Sequence, residues 1–289
     1  MGLRLKFNLV LLAILAAGLA ASAYVSWTLL QRNAREEVLR NGGLMMEAAL
    51  AIRGYTVRQV KPHIDPLLAE TFIPQAVPAY AAVETLSELR KMHPDYAYRE
   101  ATLNPTNLRD RASDWEADIV RAFRDSAERK EIIGERDTPT GRMLYIARPI
   151  RIKDPACLAC HSVPPAAPAS MLKVYGEANG FGWKLDEVIG SQIVTVPMQH
   201  PIANARQTFF SFMTALGITF ASTMLVLNLL LEWLIIRPIT RMSQAADEVS
   251  TGNFAVPEFA ATGRDEVAVL GASFNRMRRS LAKAMELIG

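Results

Sequence analysis

The sequence predicts an α+β domain, an antiparallel sheet with flanking helices, placed between two transmembrane helices and followed by a pair of short amphipathic helices. Three observations carry that expectation. Two apolar runs, Phe7 to Leu30 and Phe209 to Ile236, are each long enough to cross a hydrocarbon core of about 30 Å as a helix. Between them, helical periodicity is interspersed with stretches that read as strands. Behind the second run, apolar residues recur at three–four spacing in two short segments.

Composition narrows the classes. The chain has 289 residues, 50% of them hydrophobic, which is high for a soluble protein and low for a polytopic channel or transporter. A formal net charge of +3 with no basic face excludes a nucleic-acid binder. Cys157 and Cys160 are the 2 cysteines, too few for a disulfide framework.

The first span follows Arg4 and Lys6, and the second is followed by Arg237 and Arg241. Both ends are therefore expected in the cytoplasm, with the intervening segment outside. Asn8 and Glu232 lie near the cytoplasmic ends, where a polar group reaches the interface. Ala21-Ser22-Ala23 fits a signal-peptidase site, but the apolar run continues to Leu30, so an uncleaved anchor is expected. The resulting division is a cytoplasmic N-terminus over 1–6, spans over 7–30 and 208–236, an extracytoplasmic domain over 31–207 and a cytoplasmic C-terminal module over 237–289.

Past the first span, Ala34, Val38, Leu44, Met45, Ala48, Ala49 and Ile52 keep near-helical spacing, with a weak point at Asn41-Gly42-Gly43. Pro62 and Pro66 end that element. Tyr80 to Met92 reads as a helix, Tyr96 to Leu103 as a strand, Asn104-Pro105-Thr106-Asn107 as a turn, and Asp110 to Lys130 as a helix. Arg142 to Ile152 and Gly190 to Met198 read as strands. Helices around a few antiparallel strands make a compact α+β domain.

Cys157-Leu158-Ala159-Cys160-His161 has the spacing of c-type haem attachment. Two thiols so spaced form thioethers to the two vinyl groups of one haem, and the adjacent histidine reaches the iron as proximal ligand. One covalent haem per chain is expected, held by Cys157 and Cys160 with His161 on the iron. Such attachment is made outside the bacterial cytoplasm, in agreement with the topology. A zinc site would want four ligands, and His63, His93 and His200 are isolated. A thioredoxin-like pair would want a βαβ context, where this motif has Pro-rich flanks.

Met46, Met45 and Met198 are the candidate distal ligands: the first two on the helix leaving the first span, the third ending the last strand. Ordinary core packing is the alternative for Met45 and Met46. Met143 and Met171 flank the motif in sequence. Water or an open position would favour gas binding, and the lack of a third cysteine excludes a cysteinate.

In the C-terminal module, Ile239, Met242, Ala246 and Val249 precede Gly252, a connector runs to Gly263, and Asp265-Glu266 opens a second segment carrying Leu270, Phe274, Met277 and Leu281. Such seams need partners, and a parallel homodimer would bury them as a four-helix bundle. With Pro238 at its start, this stretch resembles a HAMP domain, which implies conversion of membrane-helix motion into a change of bundle packing. No kinase, cyclase or methyl-accepting domain is present up to Gly289, so a separate cytoplasmic output protein is expected, the alternative being that the sequence is a fragment of a longer chain.

The extracytoplasmic segment, from about Glu37 to Met198, resembles a family of single-haem, PAS-like sensory domains found upstream of HAMP modules. The strings that carry the resemblance are Phe72-Ile73-Pro74-Gln75-Ala76-Val77-Pro78-Ala79-Tyr80, Ala101-Thr102-Leu103-Asn104-Pro105-Thr106-Asn107, Ala147-Arg148-Pro149-Ile150, Asn179-Gly180-Phe181-Gly182-Trp183-Lys184 and Val196-Pro197-Met198. The family implies a PAS-like antiparallel sheet, one haem c and a redox or small-molecule sensing role. At least one member uses a cysteine as distal ligand, and this chain departs from that. The expected function is a two-pass sensor of the bacterial inner membrane, with its sensor domain in the periplasm; a membrane-tethered electron carrier is the alternative. Catalysis is not expected, because no distal Arg/His pair is recognisable.

Overall fold

The computed structural model describes residues 2–68, 70–126, 128–259 and 263–288. It divides into two compact units, Thr28–Thr208 on the one hand and Met1–Trp27 with Phe209–Gly289 on the other.

Helix α1 runs from Leu3–Tyr55, 53 residues or about 80 Å of helix. The path continues through a π-helical turn (Thr56–Val60), α2 (Lys61–Ile64) and a 3-10 turn (Asp65–Leu67), so the helical path ends at the two prolines. Helix α3 (Pro78–Met92) leads into β1 (Ala97–Thr102); α4 (Asp114–Arg124) leads into β2 (Ile132–Thr138) and β3 (Gly141–Arg151). Short helices α5 (Leu158–His161) and α6 (Ala169–Tyr175) precede β4 (Val188–Pro197). The four strands form one antiparallel sheet in the order β1-β4-β3-β2.

Each sheet face has its own core. On one face, α1 and α3 cover Leu144, Ile146, Val194 and Val196 with Val38, Met45, Met46, Ala49, Ala82 and Leu86. On the other, Ile119, Val120 and Phe123 of α4 pack on Ala101, Ala147 and Ile193. Each large side chain so buried contributes about 1.5–3 kcal/mol.

The Asn41-Gly42-Gly43 stretch does not interrupt α1. A Cβ on Gly42 would stand 2.9 Å from Ile146 Cδ1 and 3.2 Å from Val196 Cγ2, so this glycine lets the helix lie against the sheet. Leu44 and Ala48, expected on the inward stripe, are exposed. Helix α4 is shorter than its sequence pattern. Ser113 and Glu116 form a capping box that starts it at Asp114, and the residues before are taken by a 3-10 turn. Strand β2 was not expected from the sequence; it pairs with β3 through a two-residue turn between Thr138 and Gly141.

Helix α7 (Gln199–Leu231) starts in the first unit and, within the other, passes through a π-helical turn (Glu232–Ile236) into α8 (Arg237–Ser250). Helices α1 and α7 are long and apolar enough to cross a membrane. Trp27 meets Phe209 edge-on at 5.2 Å between ring centroids. Gly252 (φ +93°) turns the chain out of α8, and α9 (Glu266–Ile288) follows. Ala245, Val249, Val256 and Phe274 form a small core there, and Arg278 Nη1 donates to the connector carbonyl of Phe254 at 3.2 Å.

Candidate functional site

Cys157, Cys160 and His161 line one cavity of about 300 Å³. A 3-10 turn (Pro155–Cys157), begun by the Asp154 carboxylate accepting from Ala156 N at 2.9 Å, runs into α5 and puts all three side chains on that wall. The cysteines are free thiols, each half-buried. The sheet supplies Glu100, Thr102, Ile150 and Ile189, and the end of the α1 path supplies Arg53, Val57, Lys61 and Asp65. Residues from Phe72 to Tyr80 close another side. Phe72 stands edge-on to Tyr175 at 5.6 Å, which ties α6 to that segment, and Ser170 Oγ donates to Leu68 O just ahead of it.

The His161 ring is fixed from two directions. It stacks on Trp183 with ring centroids 3.8 Å apart and planes 15° apart. Its Nδ1 pairs with Gly180 O at 2.8 Å; since a carbonyl only accepts, Nδ1 carries the proton and Nε2 keeps its lone pair. The partner loop is itself pinned. Asn104 Oδ1 accepts from Gly180 N at 3.1 Å, Asn104 Nδ2 donates to Phe181 O at 3.2 Å, and Trp183 N donates to His161 O at 3.2 Å. Gly180 has φ +83°, and a Cβ there would lie 2.0 Å from Thr106 Oγ1. Strings 104–107 and 179–183, far apart in sequence, thus meet at one imidazole.

Burial holds His161 below the usual imidazole range, against the opposing pull of its bond to Gly180. Burial also pushes both thiols up, with Asp154 adding to the effect at Cys157. A reactive dithiol needs the opposite, a lowered pKa. Among the described residues, no three His, Cys, Asp or Glu side chains cluster in a way that would hold a metal ion. What the arrangement offers is two neutral thiols and one tautomer-fixed imidazole nitrogen in a mostly apolar cavity. That donor set fits a haem attached by two thioethers with one axial histidine.

The three methionines singled out as distal ligands are not brought to this cavity. Met45, Met46 and Met198 lie in the core between α1, α3 and the sheet, at 7%, 0% and 4% exposure. The helical repeat that buries Val38 and Ala49 also turns Met45 and Met46 to the sheet. Among the described residues, Met171 of α6 is the methionine that lines the cavity.

One part of the site was missed from sequence. Arg53 Nη1 donates to Glu100 Oε2 at 2.5 Å, the Tyr98 hydroxyl donates to Glu100 Oε1 at 2.7 Å, and Gln192 Nε2 donates to the Tyr98 oxygen at 3.1 Å. Burial, then Glu100, pushes the Tyr98 phenol far up, so it stays a donor. The signal was present: Arg53 continues the inward stripe of Met46 and Ala49, and Glu100 sits between Tyr98 and Thr102 on an alternating strand.

No curated protein matches the chain. A solved structure, titled as the crystal structure of the cyanobacterial heme-protein Tll0287, is similar over 56% of this chain and 95% of its own, at 16% identity and a TM-score of 0.42. Residues 230–283 match the HAMP domain. Residues 31–197, more than half of the chain, match the Tll0287-like family model, and the chain therefore belongs to the Tll0287-like family, with a HAMP domain behind it.

Proposed function

We propose that this protein is a two-pass sensor of the bacterial inner membrane. Its periplasmic domain, residues 31–207, holds one c-type haem through Cys157 and Cys160 with His161 as axial ligand. The observation that carries the reading is that both thiols and the fixed imidazole face one largely apolar cavity. The family match supports it. The cavity framed by one sheet face and its helices supports a PAS-like domain. The HAMP domain supports signalling through a parallel homodimer to a separate cytoplasmic output protein, with spans over 7–30 and 208–236 and both termini inside.

Bound haem supplies a one-electron redox centre or an iron position for a small ligand. Cys157 and Cys160 would attach it, His161 would offer it the lone pair of Nε2, and Ile150, Ile152 and Ile189 would line it with apolar surface. A membrane-tethered electron carrier would use the same site, and the HAMP domain favours the sensor.

The test is expression of the full chain with a c-type maturation system. One haem per chain should stay on the denatured protein, and Cys157→Ala with Cys160→Ala should remove it. A wild-type chain that emerges without covalent haem, beside a control cytochrome that acquires it, would overturn the reading. Adding carbon monoxide to the reduced protein then assigns the stimulus. A spectral shift assigns small-ligand sensing, and an unmoved spectrum assigns redox sensing.

A further inference from the structure

We propose that the part-buried Arg53–Glu100 pair is the positioning element through which a change of charge in the haem cavity acts on helix α1. The inference rests on the haem reading above. Arg53 stands in the last turn of α1, and Glu100, 4% exposed, stands on β1. Both line the cavity that Cys157, Cys160 and His161 line. The Tyr98 hydroxyl donates to the second carboxylate oxygen and Gln192 Nε2 in turn donates to Tyr98, so Glu100 is anchored to the sheet while Arg53 is anchored to the helix. The π-helical turn Thr56–Val60 begins three residues beyond Arg53. Such turns are rare and concentrate at functional sites, where a helix can change its hydrogen-bond register.

The pair is neutral as a whole, but its two charges lie apart in a medium of low dielectric, where a nearby charge is felt strongly. Reduction moves one electron from an external one-electron carrier onto ferric haem, giving ferrous haem; no bond forms or breaks. The cavity becomes more negative by one charge, which attracts Arg53 and repels Glu100. Since Glu100 is fixed in the sheet, the guanidinium and the helix turn that carries it respond. A state of the haem can bias α1 only through such a differential interaction.

The experiment uses the full chain, loaded with haem, in phospholipid nanodiscs. The midpoint potential is measured by spectroelectrochemistry, and amide exchange over residues 50–60 is compared between oxidised and reduced protein. Glu100→Gln should raise the potential, because a negative charge that stabilises ferric iron is gone. Arg53→Met should lower it, and the double variant should return toward wild type. The redox-dependent exchange difference should be present in wild type and in Arg53→Lys, and lost in the double variant. Tyr98→Phe, which leaves both charges in place, should lower the potential and serves where Glu100→Gln does not fold. Haem-loaded variants with the wild-type potential, or an exchange difference that survives in the double variant, overturn this inference alone. A wild-type chain that takes up no haem overturns the haem reading and this inference with it.

Discussion

The orientation of His161 is decided 19 residues away, at the carbonyl of Gly180. That carbonyl is in place because Gly180 adopts a positive φ and leaves room for Thr106. A methyl group there meets both obstacles. Gly180→Ala is expected to lose about 1–3 kcal/mol of stability, as residues forced into sparsely populated backbone regions do. It should also loosen the imidazole, seen as a broadened haem spectrum and a lower thermal midpoint. The motif Cys157 to His161 was legible because its chemistry is local, five consecutive residues. For Arg53 and Glu100 the sequence marks only an inward position on a helix stripe and on an alternating strand; their pairing was not legible, because the partner lies 47 positions distant and nothing in either segment names the other.

At the scale of elements, α1 shows how one helical repeat can be read two ways. Met45 and Met46 lie on the stripe that the sequence marks as special, and the same stripe is what packs on Ile146 and Val196. Core filling accounts for them in full. Met46→Ala is expected to cost about 2–5 kcal/mol, in the range for truncating a buried large side chain. The haem absorption bands should stay at their wild-type positions. Denaturant titration beside a spectrum checks both halves, and a lost axial ligand would return Met46 to the iron. Long helices and alternating strands were legible because their periods repeat over many residues. The start of α4 was misplaced because the Ser113–Glu116 capping box, not the apolar pattern, decides where the helix begins.

For the whole molecule, the two helices of the C-terminal module leave much of their apolar seam unburied within the chain. Phe274 is buried with Ala245 and Val249, yet Leu270, Met277 and Leu281 remain 50%, 48% and 44% exposed within the chain. Those are the positions that four–three–four spacing marked, so the seam was legible and its partner was not, since a partner leaves no trace in one chain. Leu281→Cys in membranes is expected to form a disulfide between two copies under mild oxidation. Leu281→Arg, measured as a drop in the cross-linking of Leu270→Cys, should weaken the pairing. Equal cross-linking at an exposed position on the opposite face of α9, such as Arg276, would argue against a specific seam.

Strand β2 stands at an edge of the sheet, with one side paired to β3 and the other unpaired. Such a rim is a template on which a strand from another molecule can add. In its middle β2 reads Gly134-Glu135-Arg136-Asp137, three charges in a row, with Glu135 engaged by Arg35 and Arg142 and Arg136 resting over Trp115 at 4.1 Å. Burying these charges against a neighbour's backbone would be costly, so the rim resists polymerising. The residues that guard the edge are also the ones that erase the alternating pattern by which a strand is recognised. The segment hardest to find in the sequence is therefore the one whose charges oppose pairing with another copy at this edge of the sheet.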